Sequence, residues 1–222
     1  MPEALVRAVL ADDHPVFRYG VANLLAASGG IEVVASVENG SAALQAILQH
    51  APDIAILDIA MPVMNGVAVV RGLAKAGSPT RAIMLSVYES RVYVDQAFQA
   101  GARGYVVKRS AFQSIVQAVR AVHAGGLYLD PALPERSDPD RHGPPRIDEG
   151  AGGALNARER DILRLVAFGF TSKEVADQLA VTPKAVETQK ARACAKLGIA
   201  SRAQVVQFAI LQGWLQGEIP AR

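Results

Sequence analysis

The chain has 222 residues, half of them hydrophobic, and a formal net charge of only +2. That length exceeds the usual single domain and favours two. No apolar run approaches the ~18 residues that span a bilayer, and the early acids Glu3, Asp12 and Asp13 break any signal-peptide pattern, so a membrane partner is not expected.

The single cysteine, Cys194, cannot pair within the chain, which suits a reducing cytoplasm. Its place in a helical pattern points to packing rather than redox chemistry. Residues 1–130 hold ten basic and ten acidic side chains, residues 131–153 three and five, and residues 154–222 ten and six. A neutral body thus precedes a small module at +4, the sign that suits a polyanionic partner.

From residue 6 to residue 108, runs of strand length (Val6–Leu10, Ile31–Val37, Ile54–Leu57, Arg81–Leu85, Tyr105–Val107) alternate with helical patterns. The helices fall at Val16–Ala27, Ser41–Gln49, Gly66–Ala76, Arg91–Ala100 and Ala111–Ala124. Repeated βα units imply a five-stranded parallel sheet, doubly wound by helices, in the order 2-1-3-4-5. Residues 1–127 form this domain, and 128–153, rich in proline and glycine, form a linker. Residues 154–222 read as an all-α domain of four helices near 157–168, 172–180, 183–197 and 202–213.

Punctuation in that second domain is explicit. Asn156-x-x-Glu159, Thr171-x-x-Glu174 and Ser201-x-x-Gln204 fit capping boxes, and the pairs Phe170/Val175 and Val181/Val186 fit hydrophobic staples. Thr182-Pro183 is an N-cap followed by proline at the first helical position. Gly169 and Gly198 sit where helices end. Two short helices joined by the tight turn Leu179–Thr182 make a helix-turn-helix.

In the sheet order 2-1-3-4-5 the ends of strands 1 and 3 are neighbours, so Asp12, Asp13 and Asp58 meet at one rim, with Ser86 and Lys108 at the ends of strands 4 and 5. Polar residues at strand ends are often only solvated. Four strand tips supplying three acids, a hydroxyl and an amine point instead to a site. Three carboxylates repel one another unless a cation joins them, and Mg2+ takes such oxygen ligands. A cation beside Asp58 screens an incoming phosphoryl group, so that the carboxylate can attack it and form an acyl phosphate. Lys108 and the Ser86 hydroxyl are placed to meet the phosphoryl oxygens.

On helix 183–197, Val186, Ala193 and Leu197 share one face with the stem of Lys190. Lys184, Glu187, Thr188, Ala191, Arg192 and Ala195 fall opposite, on a short polar face of the kind that enters a major groove. Lys184, Lys190, Arg192 and Lys196 against Glu187 leave this helix at net +3, favourable to phosphate contacts. Val205, Val206, Ala209, Ile210 and Trp214 form an apolar stripe on the last helix, part core and part suited to two-fold pairing.

These residues resemble a known family. Asp12-Asp13, Asp58-x-x-Met61-Pro62-x-x-Asn65-Gly66, Ser86 and Gly101-Ala102-x-Gly104-Tyr105-x-x-Lys108 look like the receiver domain of two-component response regulators. Leu155-Asn156-x-Arg158-Glu159, Gly169-x-Thr171-x-Lys173-Glu174-Val175-Ala176, Leu179–Lys184 with Val186, and Lys196-Leu197-Gly198 look like the LuxR-type helix-turn-helix, together the NarL/FixJ architecture. The resemblance implies that Asp58 accepts a phosphoryl group from a sensor histidine kinase. It implies Mg2+ held by Asp13, Asp58 and the backbone carbonyl of Ala60, with Asp12 acting through water, and Ser86 with Tyr105 as a switch pair. Ala60 and Tyr88 match positions that tune dephosphorylation. It implies double-stranded promoter DNA as partner, with Glu187, Thr188, Ala191 and Arg192 facing bases and Lys173, Lys184 and Lys190 near the backbone. A homodimer in the phosphorylated state, contact with RNA polymerase and a cytoplasmic location complete the expectation. The chain departs from the family pattern in having Glu187 where a basic residue is common and Gln189 where histidine is frequent.

Two rivals share some of these features. A phosphatase or mutase with an aspartyl-phosphate intermediate needs a general acid, often an aspartate two residues after the nucleophile, and position 60 is alanine. A DNA-binding protein whose first domain is a mere scaffold has no use for an intact acidic pocket.

Overall fold

The computed structural model describes residues 5–133 and 155–215. Residues 134–153 of the predicted linker lie outside the described residues. The chain divides into two compact units.

In the first unit the strands are β1 Val6–Ala11, β2 Ile31–Val37, β3 Ile54–Asp58, β4 Arg81–Ser86, β5 Gly104–Val107 and β6 Tyr128–Leu129. The helices are α1 Pro15–Ala27, α2 Gly40–His50, α3 Gly66–Lys75, α4 Arg91–Gln99 and α5 Ala111–His123. All strand pairs are parallel, in the order β2-β1-β3-β4-β5-β6. The sheet therefore has six strands where five were expected. The added strand, β6, falls where the linker was predicted to begin. Two residues carry no alternation to read; β6 pairs with β5 through Tyr128 N–H to Arg103 O and Asp130 N–H to Tyr105 O, both 2.9 Å, and Tyr128 packs on the core.

Apart from Arg7 and Arg81 near their starts and Asp58 and Ser86 at their ends, the central strands β1, β3 and β4 are hydrophobic, as a sheet covered on both faces requires. Ala8, Leu10, Ile54, Ile56, Ile83, Leu85 and Val106 pack with Val21 and Leu25 of α1 and Ile115, Val119 and Val122 of α5. Their alternates Val9, Ala55, Leu57, Met84 and Tyr105 point to the opposite face and are also fully buried; α2 contacts β1 and β3, and α4 contacts β5.

The loop after β3 is tightly specified. Met64 N–H donates to Pro62 O at 2.7 Å around Val63, whose φ is 67°; this is a γ-turn, rare for a β-branched residue. Asn65 then caps α3 by accepting from Ala68 N–H at 2.8 Å, and Gly66 N–H returns to Ile59 O at 3.0 Å.

The second unit holds α6 Ala157–Ala167, α7 Ser172–Gln178, α8 Pro183–Leu197 and α9 Arg202–Leu211. All three expected capping boxes form, Thr182 caps α8 with proline following, and Gly169 and Gly198 take positive φ. Of the staple residues, Phe170, Val175 and Val186 are buried and Val181 is partly so. One expectation fails: Trp214 is not on the last helix. Gly213 turns left-handed at φ 69° and Trp214 N–H bonds back to Ala209 O at 2.9 Å, a Schellman ending whose apolar contact is Trp214 edge-on to Phe208 at 5.3 Å. Val205 and Ala209 are core, and Ile210 remains 44 % exposed.

A Cβ on Gly66 would lie 2.3 Å from the carbonyl oxygen of Asp58. Gly66→Ala is expected to cost about 1–3 kcal/mol, read as a fall in urea midpoint, because the neighbour that must yield is backbone.

Candidate phosphoacceptor pocket and nucleic-acid interface

Strand register builds the rim. Ala11 pairs with Leu57, so Asp12 and Asp58 follow side by side; Asp58 pairs with Leu85, and Ser86 with Val107 just before Lys108. Four strand ends thus deliver Asp12, Asp13, Asp58, Ser86 and Lys108 to one edge.

The Lys108 ammonium lies 2.6 Å from Asp58 Oδ2 and 2.7 Å from Asp12 Oδ2. Asp12 and Asp58 are buried, as is most of Lys108. Ala60 N–H donates to Asp58 Oδ1 at 3.2 Å and His14 N–H to Asp12 Oδ1 at 2.8 Å. Burial pushes the Asp58 carboxyl up to about 6, against the pull of Lys108. Burial also opposes the Lys108 charge, yet its hydrogen bonds to Asp12 and Asp58 outweigh that and hold its pKa above the ordinary value.

Ligand atoms of Asp12, Asp13, His14 and Asp58 all lie within 4.8 Å of one another. Three carboxylates against one ammonium leave two negative charges uncompensated, which one hard divalent cation balances with oxygen ligands. The residues therefore fit a divalent metal.

Two neighbours were not singled out from sequence. His14 Nδ1 sits 2.7 Å from Asp13 Oδ1; its adjacency to two aspartates was a visible signal. Phe17 lies 5.0 Å from Lys108 Nζ, ring centre to nitrogen, with Phe112 edge-on to it at 5.7 Å. That contact brings α1 onto the end of β5, which no local pattern announces.

Ser86 Oγ accepts from Tyr88 N–H at 2.9 Å, and Tyr105 Oη donates to Tyr88 O at 2.8 Å. Both expected switch residues therefore engage one loop residue. Tyr105 is fully buried, and that burial raises its hydroxyl pKa far above the usual value. The ring of Tyr88 stacks on Tyr93 at 4.5 Å.

In the second unit Lys173, Lys184, Glu187, Thr188, Ala191 and Arg192 are exposed, and Lys190 is half-buried. Thr188 Oγ1 donates to Lys184 O at 2.9 Å. Two of the four α8 cations are engaged within the module: Lys190 with Glu187 at 2.7 Å, and Lys196 with Glu159 at 2.8 Å. Cys194 is half-buried beside a cavity of about 390 Å³ that Phe170, Lys190 and Val205 also line, and burial raises its thiol pKa, consistent with a packing role.

Comparison with known proteins agrees with both units. The family model for the response regulator receiver domain matches residues 8–120, and that for bacterial regulatory proteins of the luxR family matches residues 154–209. The probable transcriptional regulatory protein NarL of Mycobacterium tuberculosis is 36 % identical over 93 % of this chain and 94 % of its own. The oxygen regulatory protein NreC of Staphylococcus epidermidis is 31 % identical over 95 % of this chain and all of its own. Among solved structures, the signal receiver domain of the putative response regulator NarL of Mycobacterium tuberculosis matches 56 % of this chain and 99 % of its own, at 42 % identity and TM-score 0.54. RcsB of Salmonella enterica serovar Typhimurium, bound to promoter P1flhDC with the phosphomimetic BeF3-, matches 94 % of this chain and 99 % of its own, at TM-score 0.78 and 21 % identity, a likeness of fold.

The Asp58 value gives a pH prediction. Its folded pKa of about 6 stands above the ordinary 3.8, so its stabilising contribution is complete below about pH 4 and is lost as pH rises through about 6. That gap corresponds to about 3 kcal/mol. Asp58→Asn is expected to flatten the corresponding fall in urea-unfolding free energy between pH 4 and pH 7.

Proposed function

The chain belongs to the response regulators that join a receiver domain to a LuxR-type helix-turn-helix domain, and we propose that it controls transcription through phosphoryl transfer to Asp58. The observation that supports this most is the Lys108 ammonium shared between Asp58 and Asp12. It holds a cationic partner for phosphoryl oxygens against the one carboxylate that ends a central strand.

The donor is the phosphohistidine of a sensor histidine kinase. At pH 7 a carboxyl with a pKa near 6 is largely ionised, so Asp58 is a competent nucleophile. One of its oxygens forms the P–O bond of an acyl phosphate as the P–N bond breaks, and the departing imidazole keeps the electron pair. Lys108 shifts its charge from the carboxylates to the phosphoryl oxygens, and the Ser86 hydroxyl donates to another. Asp13, Asp58 and the Ala60 carbonyl would hold Mg2+, with Asp12 acting through water, and the ion would supply charge screening for the incoming phosphoryl group. When Ser86 turns to the phosphoryl group, Tyr88 loses a bond, and Tyr105, bonded to the same residue, is the second half of the switch. The chain accepts and later loses a phosphoryl group and is not otherwise an enzyme.

Residues 154–222 bind double-stranded promoter DNA. Thr188, Ala191 and Arg192 present the base-facing side of α8, with Lys173 and Lys184 beside the phosphates. Phosphorylation favours a homodimer that reads two half-sites, with Val206 and Ile210 of α9 toward the pairing face. RNA polymerase is a further partner, and the cytoplasm is the compartment.

In the test, a phosphohistidine donor produces a hydroxylamine-sensitive label on the wild type and none on Asp58→Asn; equal labelling of both excludes Asp58 as acceptor. Beryllofluoride extends or strengthens the promoter footprint of the wild type, and an unchanged footprint revives the scaffold reading. Lys184→Ala is expected to weaken binding to all duplexes alike and to make the slope of log K against log salt shallower by about 0.9, measured by anisotropy titration.

A further inference from the structure

Glu187 is an acid on a face that should meet a polyanion, and its carboxylate is already occupied at both oxygens. Ser172 Oγ, at the start of α7, donates to Oε1, and Lys190 Nζ lies 2.7 Å from Oε2. The hydrogen bond from Lys190 first, then that from Ser172, holds the Glu187 carboxyl below the usual glutamate range. The contact with Ser172 spans 15 residues of sequence and joins the two helices of the helix-turn-helix.

Reading cytosine in the major groove requires a carboxylate oxygen turned toward the base amine. Here the Ser172 hydroxyl engages one oxygen and the Lys190 ammonium the other. The carboxylate is thereby oriented and its charge screened by donors of its own module, and only its remaining lone pairs are left for a base. Lys190, for its part, keeps its stem on the packing side of α8 while its charge reaches outward only as far as Glu187; its side chain is 31 % exposed, against 54 % for Glu187. Freed from that pair, a lysine on this helix extends to a phosphate.

We propose that Glu187 is a positioning residue and not a base reader: anchored by Ser172, it holds the Lys190 ammonium against the module and off the phosphate backbone. This rests on the reading of α8 as the DNA-facing helix. The consequence is a module that binds any duplex more weakly than its basic composition implies, while base choice stays with the neighbouring side chains.

The test uses the full chain as wild type, Glu187→Gln, Lys190→Met and the double variant. Each is titrated against a short mixed-sequence duplex across a range of salt, and the wild type and Glu187→Gln are also subjected to selection from randomised duplexes. Glutamine keeps the shape and the bond with Ser172 while removing the charge that holds Lys190. One additional phosphate contact makes Glu187→Gln bind about 8-fold tighter at ~0.1 M salt and about 4-fold tighter at ~0.2 M, with a salt slope steeper by about 0.9. The double variant loses that gain, and the selected consensus does not change. Three results overturn the proposal: a cytosine lost from the Glu187→Gln consensus, a steeper slope that survives in the double variant, or no change in slope. Arg192→Ala and Lys184→Ala separate the two levels. If they weaken binding while Glu187→Gln gives one of those three results, only this proposal fails; if none of the three substitutions alters binding, the reading of α8 falls with it.

Discussion

The pocket depends on one ammonium placed between two buried carboxylates. Lys108 reaches Asp12 and Asp58 at 2.7 and 2.6 Å, where water has little access and isolated charges are costly. Take the lysine away and two anions face each other in a desolvated rim; take either acid away and a buried cation loses half its compensation. The arrangement persists because the sheet fixes it. Asp12, Asp58 and Lys108 follow directly on paired residues of β1, β3 and β5, and the pleat admits no shift without turning every core residue to the wrong face. Stability of the core and geometry of the site are the same constraint.

That constraint also explains why the pocket suits transfer rather than storage of charge. Asp58, at about 6, is ionised near neutral pH yet poorly solvated, so the anion is a stronger nucleophile than an exposed carboxylate of ordinary pKa. One cation shared by two acids leaves a net negative rim, which fits a divalent ion; on the proposed reading such an ion would screen a phosphoryl group that anions alone would repel. The rim connects to Tyr88 from two sides, through the Ser86 Oγ and Tyr105 Oη bonds. A change at the acid therefore has a defined first consequence.

Much of this was legible because it was local or periodic. Strand-length apolar runs ending in Asp58, Ser86 and Lys108 specify their own rim once the winding order is assumed, and the three capping boxes are spacings of three residues. What stayed hidden depends on distant partners. The strand Tyr128–Leu129 is set by its bonds to β5 and by packing of Tyr128 on the core. Trp214 continues the apolar spacing of α9, yet Gly213 ends that helix and folds the ring onto Phe208, so periodicity misassigned it. Phe17 over Lys108 and Ser172 on Glu187 join residues far apart in sequence, and no single element displays them.

In the second unit, not every cation of α8 stands apart from the acids of its own module. The helix α8 reads as net +3, but Lys190 and Lys196 both answer carboxylates of their own module, Glu187 and Glu159. Glu159 does double duty, closing the α6 capping box while pairing with Lys196. On the proposed reading of Lys190, a phosphate contact withheld in this way lowers the affinity of a single module by ~8-fold at ~0.1 M salt. For a regulator that is an advantage. If one module held DNA firmly by itself, pairing two of them would add little and a phosphoryl group would have little to control. Weak single modules make binding depend on joining two half-site contacts, where effective concentration multiplies affinity by 10² or more. On the proposed reading, the internal ion pairs of the DNA module are thus part of the switch, since they keep its unpaired state weak enough for phosphorylation to matter.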